Sequence, residues 1–324
     1  MYPLITLEEH YLSNDVRKLR EGSSSNPYNR FPPITTTQLL DLSDLRLKDM
    51  DAGSVSLQIV SHGPGNFPPE LCHAGNDHLS AAIQQHPTRL AGWAMLPMSQ
   101  PTQAADELTR CVQQLGFRGA LIDNHLDGRF YDDASYWPVF ARAHDLDVPL
   151  YLHPTFAPAA LQPHYSGNFS DAAAFWMGHA SWGWHSETAL HLLRLWAAGV
   201  FDRFPRLKLV VGHMGEMLPF QLDRICGQAR AWGTELRRDL RTVWEENVWV
   251  TTSGMFSLAP LACLLRVSPI EKIMYSVDYP FSTNEKGAAF VEEMDKSGLL
   301  TTKQMEMICY KNAENLLGVN APKS

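Results

Sequence analysis

The 324-residue chain lacks any run approaching the ~20 apolar residues of a membrane-spanning helix. A basic N-terminal region followed by a long apolar stretch is also missing. The chain passes directly into Pro3-Leu4-Ile5-Thr6-Leu7, which argues against a secretory leader. No basic block is present and the formal charge is −8. A nucleic-acid groove would have little with which to neutralise phosphates. Cysteine is scarce: Cys72, Cys111, Cys226, Cys263 and Cys309 make an odd count with no C-x-x-C pair. No disulfide framework is expected, and the pattern suits a reducing, cytoplasmic location. No internal repeat or linker divides the chain, so residues 1–324 are read as one domain.

What is present is ample apolar material. Hydrophobic residues make up 45% and charged residues 19%, enough for a large globular core. Eight apolar, β-branched segments lie at 3–9, 54–61, 90–97, 118–123, 148–153, 208–213, 248–253 and 271–278. They show little strict alternation, as expected of parallel strands buried on both faces. Helical spacing of apolar residues fills the intervals, at 37–50, 74–86, 102–115, 135–144, 186–201, 219–240, 257–267, 285–297 and 302–317. Eight alternations predict an α/β chain folded as a (β/α)8 TIM barrel. An open doubly wound sheet would carry a Gly-rich first turn, whereas the first segment here ends in Glu8-Glu9-His10. Two stretches break the rhythm: a turn-rich loop at 21–34 and a long aromatic insertion at 155–185. Both are expected over the barrel mouth.

The C-terminal strand ends of such a barrel share one mouth. There Glu8, His10, His153, His213 and Asp278 would converge, far apart as they are in sequence. Imidazoles and carboxylates around one point suit a divalent metal. Glu8 and His10 are two apart on a strand, so they share a side and Glu9 turns away. Taken singly, each has a plainer reading: an acidic patch for Glu8, a satisfied core histidine for His153, a helix cap for Asp278. Placed together by one fold, they point to chemistry. His213 has Glu216 three residues on, a carboxylate able to orient an imidazole. Arg224 could present its fork to a substrate carboxylate or be a solvated helix charge. Phe175, Trp176, His179, Trp182, Trp184 and His185 in the insertion, with Phe281 beyond the eighth segment, either wall a pocket for a flat ring or pack a lid.

Several motifs in order carry a resemblance. They are Leu7-Glu8-Glu9-His10, Tyr151-Leu152-His153-Pro154, Gly212-His213-Met214-Gly215-Glu216, Thr251-Thr252-Ser253-Gly254 and Ser276-Val277-Asp278-Tyr279-Pro280-Phe281. The set resembles the metal-dependent decarboxylase branch of the amidohydrolase superfamily, γ-resorcylate decarboxylase foremost, over nearly the whole chain. The resemblance implies an amidohydrolase-type barrel with one divalent ion, Zn2+ or Mn2+, on Glu8, His10, His153 and Asp278, and no organic cofactor. It implies catalytic roles for Asp278, His213 and Glu216, and substrate contacts from Arg224, Trp184 and Phe281. Trp184 stands where related enzymes have Phe, and Ser282 where they often have an acid or amide. The loop Ser61-His62-Gly63-Pro64-Gly65 also departs in detail. The implied reaction is non-oxidative decarboxylation of an ortho-hydroxy aromatic acid of resorcylate, orsellinate, dihydroxybenzoate or salicylate type, run in either direction. A homodimer or homotetramer is implied, with a small aromatic acid as partner and neither nucleic acid nor membrane. Two other readings are a metal-dependent hydrolase of an ester, lactone or amide, and a non-catalytic barrel that binds an aromatic ligand.

Overall fold

The computed structural model describes residues 2–20, 27–232 and 235–322. Nine strands occupy the eight barrel positions: β1 (Leu4–Tyr11), β2 (Val55–His62), β3 (Leu90–Gly92), β4 (Ala94–Met95), β5 (Ala120–Asp123), β6 (Pro149–His153), β7 (Lys208–Val211), β8 (Val248–Thr251) and β9 (Ile273–Met274). All pairings are parallel, and they run β1-β2-β3 and β4-β5-β6-β7-β8-β9. The third position splits at Trp93, whose N–H bonds back to Val60 while Ala94 bonds forward to Gly119. A parallel bridge between Glu9 and Tyr279 closes the ring. The predicted barrel is therefore the observed one.

Two apolar layers form the core. Ile5, Leu7, Leu57, Ile59, Trp93, Leu121, Tyr151, Val210 and Met274 fill the barrel, with the C-terminal Leu316, Leu317 and Val319 in the same cluster. The alternate residues, among them Leu4, Val60, Ile122, Leu150, Leu152, Leu209 and Val250, belong to the larger cluster shared with the helices. Both strand faces are apolar, which is why the sequence shows runs rather than alternation.

One irregularity positions the site. Thr6 pairs with Gln58 but Glu9 with Val60, so β1 carries one extra residue there. This bulge inverts the side-chain parity. Ile5 and Leu7 face the barrel interior below it; Glu8 and His10 face the mouth above it. The two crowded amides, of Leu7 and Glu8, both donate to Ser276 Oγ, at 2.9 and 2.8 Å.

Several boundaries differ from expectation. The helix predicted over 37–50 is two, Pro33–Leu40 and Asp44–Ala52, because Asp41 is extended and its carboxylate accepts from Ser43 and Arg46. The helix predicted over 219–240 is Leu218–Gln228 and Leu240–Asn247, the second capped by the Asp239 carboxylate. The last strand is regular only at Ile273–Met274, because Thr252 Oγ1 replaces a backbone acceptor and bonds Ser276 N at 3.0 Å. Within the insertion, Gln162–Tyr165 and Asp171–Gly178 are helical rather than loop. Residues 21–26 of the predicted 21–34 loop lie outside the described residues. All five cysteines are free. No helix of the described residues is long and apolar enough to cross a membrane.

Candidate active site

Glu8, His10, His153 and Asp278 each bring a ligand atom to within 4.8 Å of the others, at the C-terminal ends of β1 and β6 and just past β9. His153 Nε2 lies 3.1 Å from Glu8 Oε1, and His10 Nε2 lies 3.4 Å from Asp278 Oδ1. Ligands ~2.1 Å from a tetrahedral ion sit about 3.4 Å from one another, so this spacing fits a single divalent metal. The satisfaction of polar atoms agrees. Glu8 Oε1 and His10 Nε2 are buried without a hydrogen-bond partner. Orphaned buried polar atoms are costly unless something occupies the space between them.

Supporting contacts hold His10 and Glu8 in place. Ser61 Oγ lies 3.0 Å from His10 Nδ1, and the ring's Nε2 faces Asp278 Oδ1 across the site. The Tyr151 hydroxyl donates to Glu8 Oε2 and lies 2.7 Å from Thr251 Oγ1. Burial alone would raise the Glu8 carboxyl, but the His213, His153 and His10 rings beside it hold it well below the usual range. Glu9 does turn away from the mouth, into the seam. It accepts from Ser276 Oγ, Val277 N and Tyr279 N at 2.9, 3.1 and 3.1 Å. It thereby pins the segment that carries Asp278. Burial raises its carboxyl to about 8. If outer contacts tune the ligands in this way, Tyr151→Phe lowers metal affinity about 10- to 100-fold. Metal titration of the apoprotein checks this; unchanged affinity would remove Tyr151 from the ligand support.

A second cluster lies alongside. His213 Nδ1 is 2.7 Å from Glu216 Oε1, and His185 Nδ1 is 2.6 Å from Glu216 Oε2. These are hydrogen-bond lengths, which leave no room for an ion between the atoms. Burial would raise Glu216, but the His213 and His185 charges and hydrogen bonds hold its carboxyl at about 2. Burial likewise opposes charge on His213, and the Glu216 and Glu8 carboxylates outweigh it, raising the ring well above its ordinary value. His213 Nε2 faces Glu8 Oε1 at 3.7 Å and Asp278 Oδ2 at 3.8 Å.

The backbone is strained where these groups sit. His213, Met214, Glu216, Met217 and Asp278 all have φ between 47° and 69°. Such conformations cost ~1–3 kcal/mol each and persist where the surroundings over-determine them, commonly at functional sites. Gly212, just before this turn, has no room for a side chain: a Cβ would meet Glu8 Oε2 at 2.5 Å.

Aromatic rings flank this cluster. Phe281 lies 5.8 Å from the His10 ring, and Trp184 lies 6.4 Å from the His153 ring. Phe31 packs on Phe281 at 4.9 Å and Phe156 on Trp184 at 5.5 Å. Phe175 stacks on His179 at 4.1 Å, whereas Trp176 and Trp182 remain largely exposed. The structure thus brings together Glu8, His10, His153, Asp278, His213, Glu216, Trp184 and Phe281. It does not bring Arg224 to them within this chain. That side chain is exposed on the helix Leu218–Gln228, whose buried face carries Leu218, Pro219 and Leu222 instead.

Residues 42–319 match the Amidohydrolase family. The chain belongs to that family. It is 49% identical to decarboxylase orsB of Emericella nidulans, covering 99% of this chain and 98% of that one. It is 33% identical to γ-resorcylate decarboxylase of a Polaromonas species, covering 98% of each. A solved dihydroxybenzoic acid decarboxylase from Polaromonas, with bound manganese and the inhibitor 2-nitroresorcinol, superposes with a TM-score of 0.86 at 31% identity, over 98% of this chain and 97% of that one. This amidohydrolase shares its architecture with enzymes named for carboxyl removal. Neither the hydrolase nor the non-catalytic reading finds support among these relatives.

Sequence reasoning missed several contributors. Tyr151 lies two residues before His153 on the same strand face, a signal that could have flagged it. Ser61, Ser276 and Gly212 act through geometry that only the closed barrel creates.

Proposed function

We propose that this amidohydrolase is a carbon–carbon lyase that removes CO2, without oxidation, from an ortho-hydroxylated aromatic acid. The observation that carries this reading is the partnerless Glu8 Oε1 and His10 Nε2, converging with His153 and Asp278 beside flanking aromatic rings. Glu8, His10, His153 and Asp278 would hold one divalent ion, which would supply Lewis-acid charge to the substrate acid. Carboxylate and imidazole ligands suit Zn2+ and Mn2+ alike, and the manganese in the Polaromonas relative favours Mn2+.

Trp184 and Phe281, beside the His153 and His10 rings, would contact the substrate ring and limit water access. The Asp278 carboxyl holds the proton destined for the ring carbon that bears the carboxylate. Its supply is the substrate phenol, through His213, which Glu216 keeps oriented. As that carbon takes the proton, aromaticity is broken. The bond to the carboxylate then breaks, CO2 leaves, and its electron pair returns to the ring. No organic cofactor is required, because the ring itself holds the electrons. High bicarbonate drives the same steps backwards. Arg224, exposed in the single chain, keeps a carboxylate-binding role only if a homodimer or homotetramer turns its helix toward the mouth of another copy.

The test is a panel of 2,6-dihydroxy-, 2,4-dihydroxy-6-methyl-, 2,3-dihydroxy- and 2-hydroxybenzoates with benzoate as control, scored by CO2 release. Release from ortho-hydroxy acids and none from benzoate is expected. Hydrolysis of aryl esters or lactones with no CO2 from any acid would overturn the proposal.

A further inference from the structure

His185 is absent from the metal cluster and from the proton path just described, yet it is buried and bound at both ring nitrogens. It stands in the first turn of the helix Gly183–Ala197, at the C-terminal edge of the aromatic insertion. Nδ1 meets Glu216 Oε2 at 2.6 Å, and Nε2 meets the Ala180 carbonyl at 2.9 Å. A carbonyl has no hydrogen to give, so Nε2 donates to it, and Nδ1 is taken up by the Glu216 carboxylate. Both ring nitrogens are thus engaged by protein oxygens, and neither is open to a substrate proton. It is a clamp rather than a base.

What the clamp joins is informative. One end is Glu216, whose other oxygen receives His213 Nδ1 at 2.7 Å. The other end is the turn 178–183, which bears directly on the flanking aromatic rings. That turn is tightly closed: Trp182 N and Trp184 N both bond the His179 carbonyl, at 3.1 and 3.2 Å. A Cβ on Gly183 would lie 2.4 Å from Gly178 O, so only glycine allows the approach that presents the Ala180 carbonyl. Trp184, whose ring lies 6.4 Å from the His153 ring, is fixed by the same turn.

We propose that His185 is a positioning residue that makes the orientation of Glu216, and through it His213, depend on docking of the aromatic segment over the mouth. The inference rests on the decarboxylase reading above. When the segment is seated, His185 holds Glu216 at one oxygen and leaves the other for His213. When it is displaced, Glu216 loses a partner and His213 loses its fixed orientation. Proton delivery is thereby reserved for a covered site, where water is excluded.

Two half-isosteres separate the contacts. In His185→Asn the amide nitrogen falls near the position of Nδ1 and keeps the Glu216 bond. In His185→Gln it falls near Nε2 and keeps only the Ala180 bond. His185→Ala keeps neither. Expected is a drop in kcat of about 10- to 100-fold for His185→Ala, with KM within about 3-fold and bound metal unchanged. His185→Asn recovers most of kcat, and His185→Gln does not. Equal values for Asn and Gln, or the reverse order, would overturn the proposal, as would an unaltered kcat in His185→Ala.

A second readout needs no turnover. In protein labelled with 15N-histidine, the exchange-protected N–H signal of His213 Nδ1 should broaden or vanish in His185→Ala and His185→Gln and persist in His185→Asn. Loss of the His185 signals alone would show that the ring does not hold Glu216, and the proposal fails. If the His213 signal behaves as stated while wild type releases no CO2 from any acid, the decarboxylase reading fails and the clamp stands.

Discussion

Asp278→Asn is expected to lower CO2 release by at least about 10³-fold while the barrel stays folded. A positioned general acid contributes ~10²–10⁴-fold, and this side chain is also proposed as a metal ligand, so both losses fall together. The fold should tolerate the change. Asp278 has φ 69°, a conformation that Asn adopts as readily as Asp. Its side chain contacts His10 at 3.4 Å and His213 at 3.8 Å, both groups of the site rather than of the apolar core. The neutral amide binds a cation less well, so metal content must be measured beside turnover. Absent turnover at saturating metal assigns the proton to Asp278. Turnover restored by excess metal would reduce Asp278 to a ligand and pass the proton role to His213.

Gly212→Ala is the second large effect, and it comes from one methyl group. The added Cβ would lie 2.5 Å from Glu8 Oε2, 3.2 Å from Glu8 Oε1 and 3.2 Å from the Tyr151 hydroxyl. None of these is the free end of a flexible surface chain. Glu8 is fully buried, and Tyr151 is anchored in the barrel interior. Moving the carboxylate breaks the Tyr151–Glu8 hydrogen bond and pulls a ligand out of place. Overpacking of this kind costs ~1–3 kcal/mol of stability. The functional cost is greater, because a displacement of an ångström at a reacting centre can cost 10²-fold or more. The expected result is folded protein with metal content and CO2 release both reduced at least about 10²-fold. Wild-type metal content with wild-type kcat would mean that the carboxylate has slack that its contacts do not suggest.

Much of this is legible in the sequence. Apolar runs without alternation, spaced for helices, specify a parallel barrel, and the barrel rule then gathers Glu8, His10, His153, His213 and Asp278. The finer register was not legible. Nothing in Leu7-Glu8-Glu9-His10 reveals that β1 gains a residue, because the bulge exists only where Ser276 from the far end of the chain captures two amides. The strained turn after β7 was equally hidden, since Met214 and Glu216 are residues that ordinarily avoid positive φ. His185 looked like one more aromatic of the insertion. Its partner Glu216 lies 31 residues away, and only the packed helix brings them together. Arg224 is exposed in the single chain, on a helix that buries Leu218, Pro219 and Leu222 instead, so a contact made by another copy is not legible from one chain.

The most direct test of the central claim joins the metal to the chemistry. Purified protein is assayed for bound divalent metal, then for CO2 release from the most active ortho-hydroxybenzoate before and after chelation, and again after Mn2+ or Zn2+ is returned. The account predicts about one ion per chain, release abolished by the chelator, and recovery on adding metal back. Undiminished CO2 release from fully metal-free protein would contradict it.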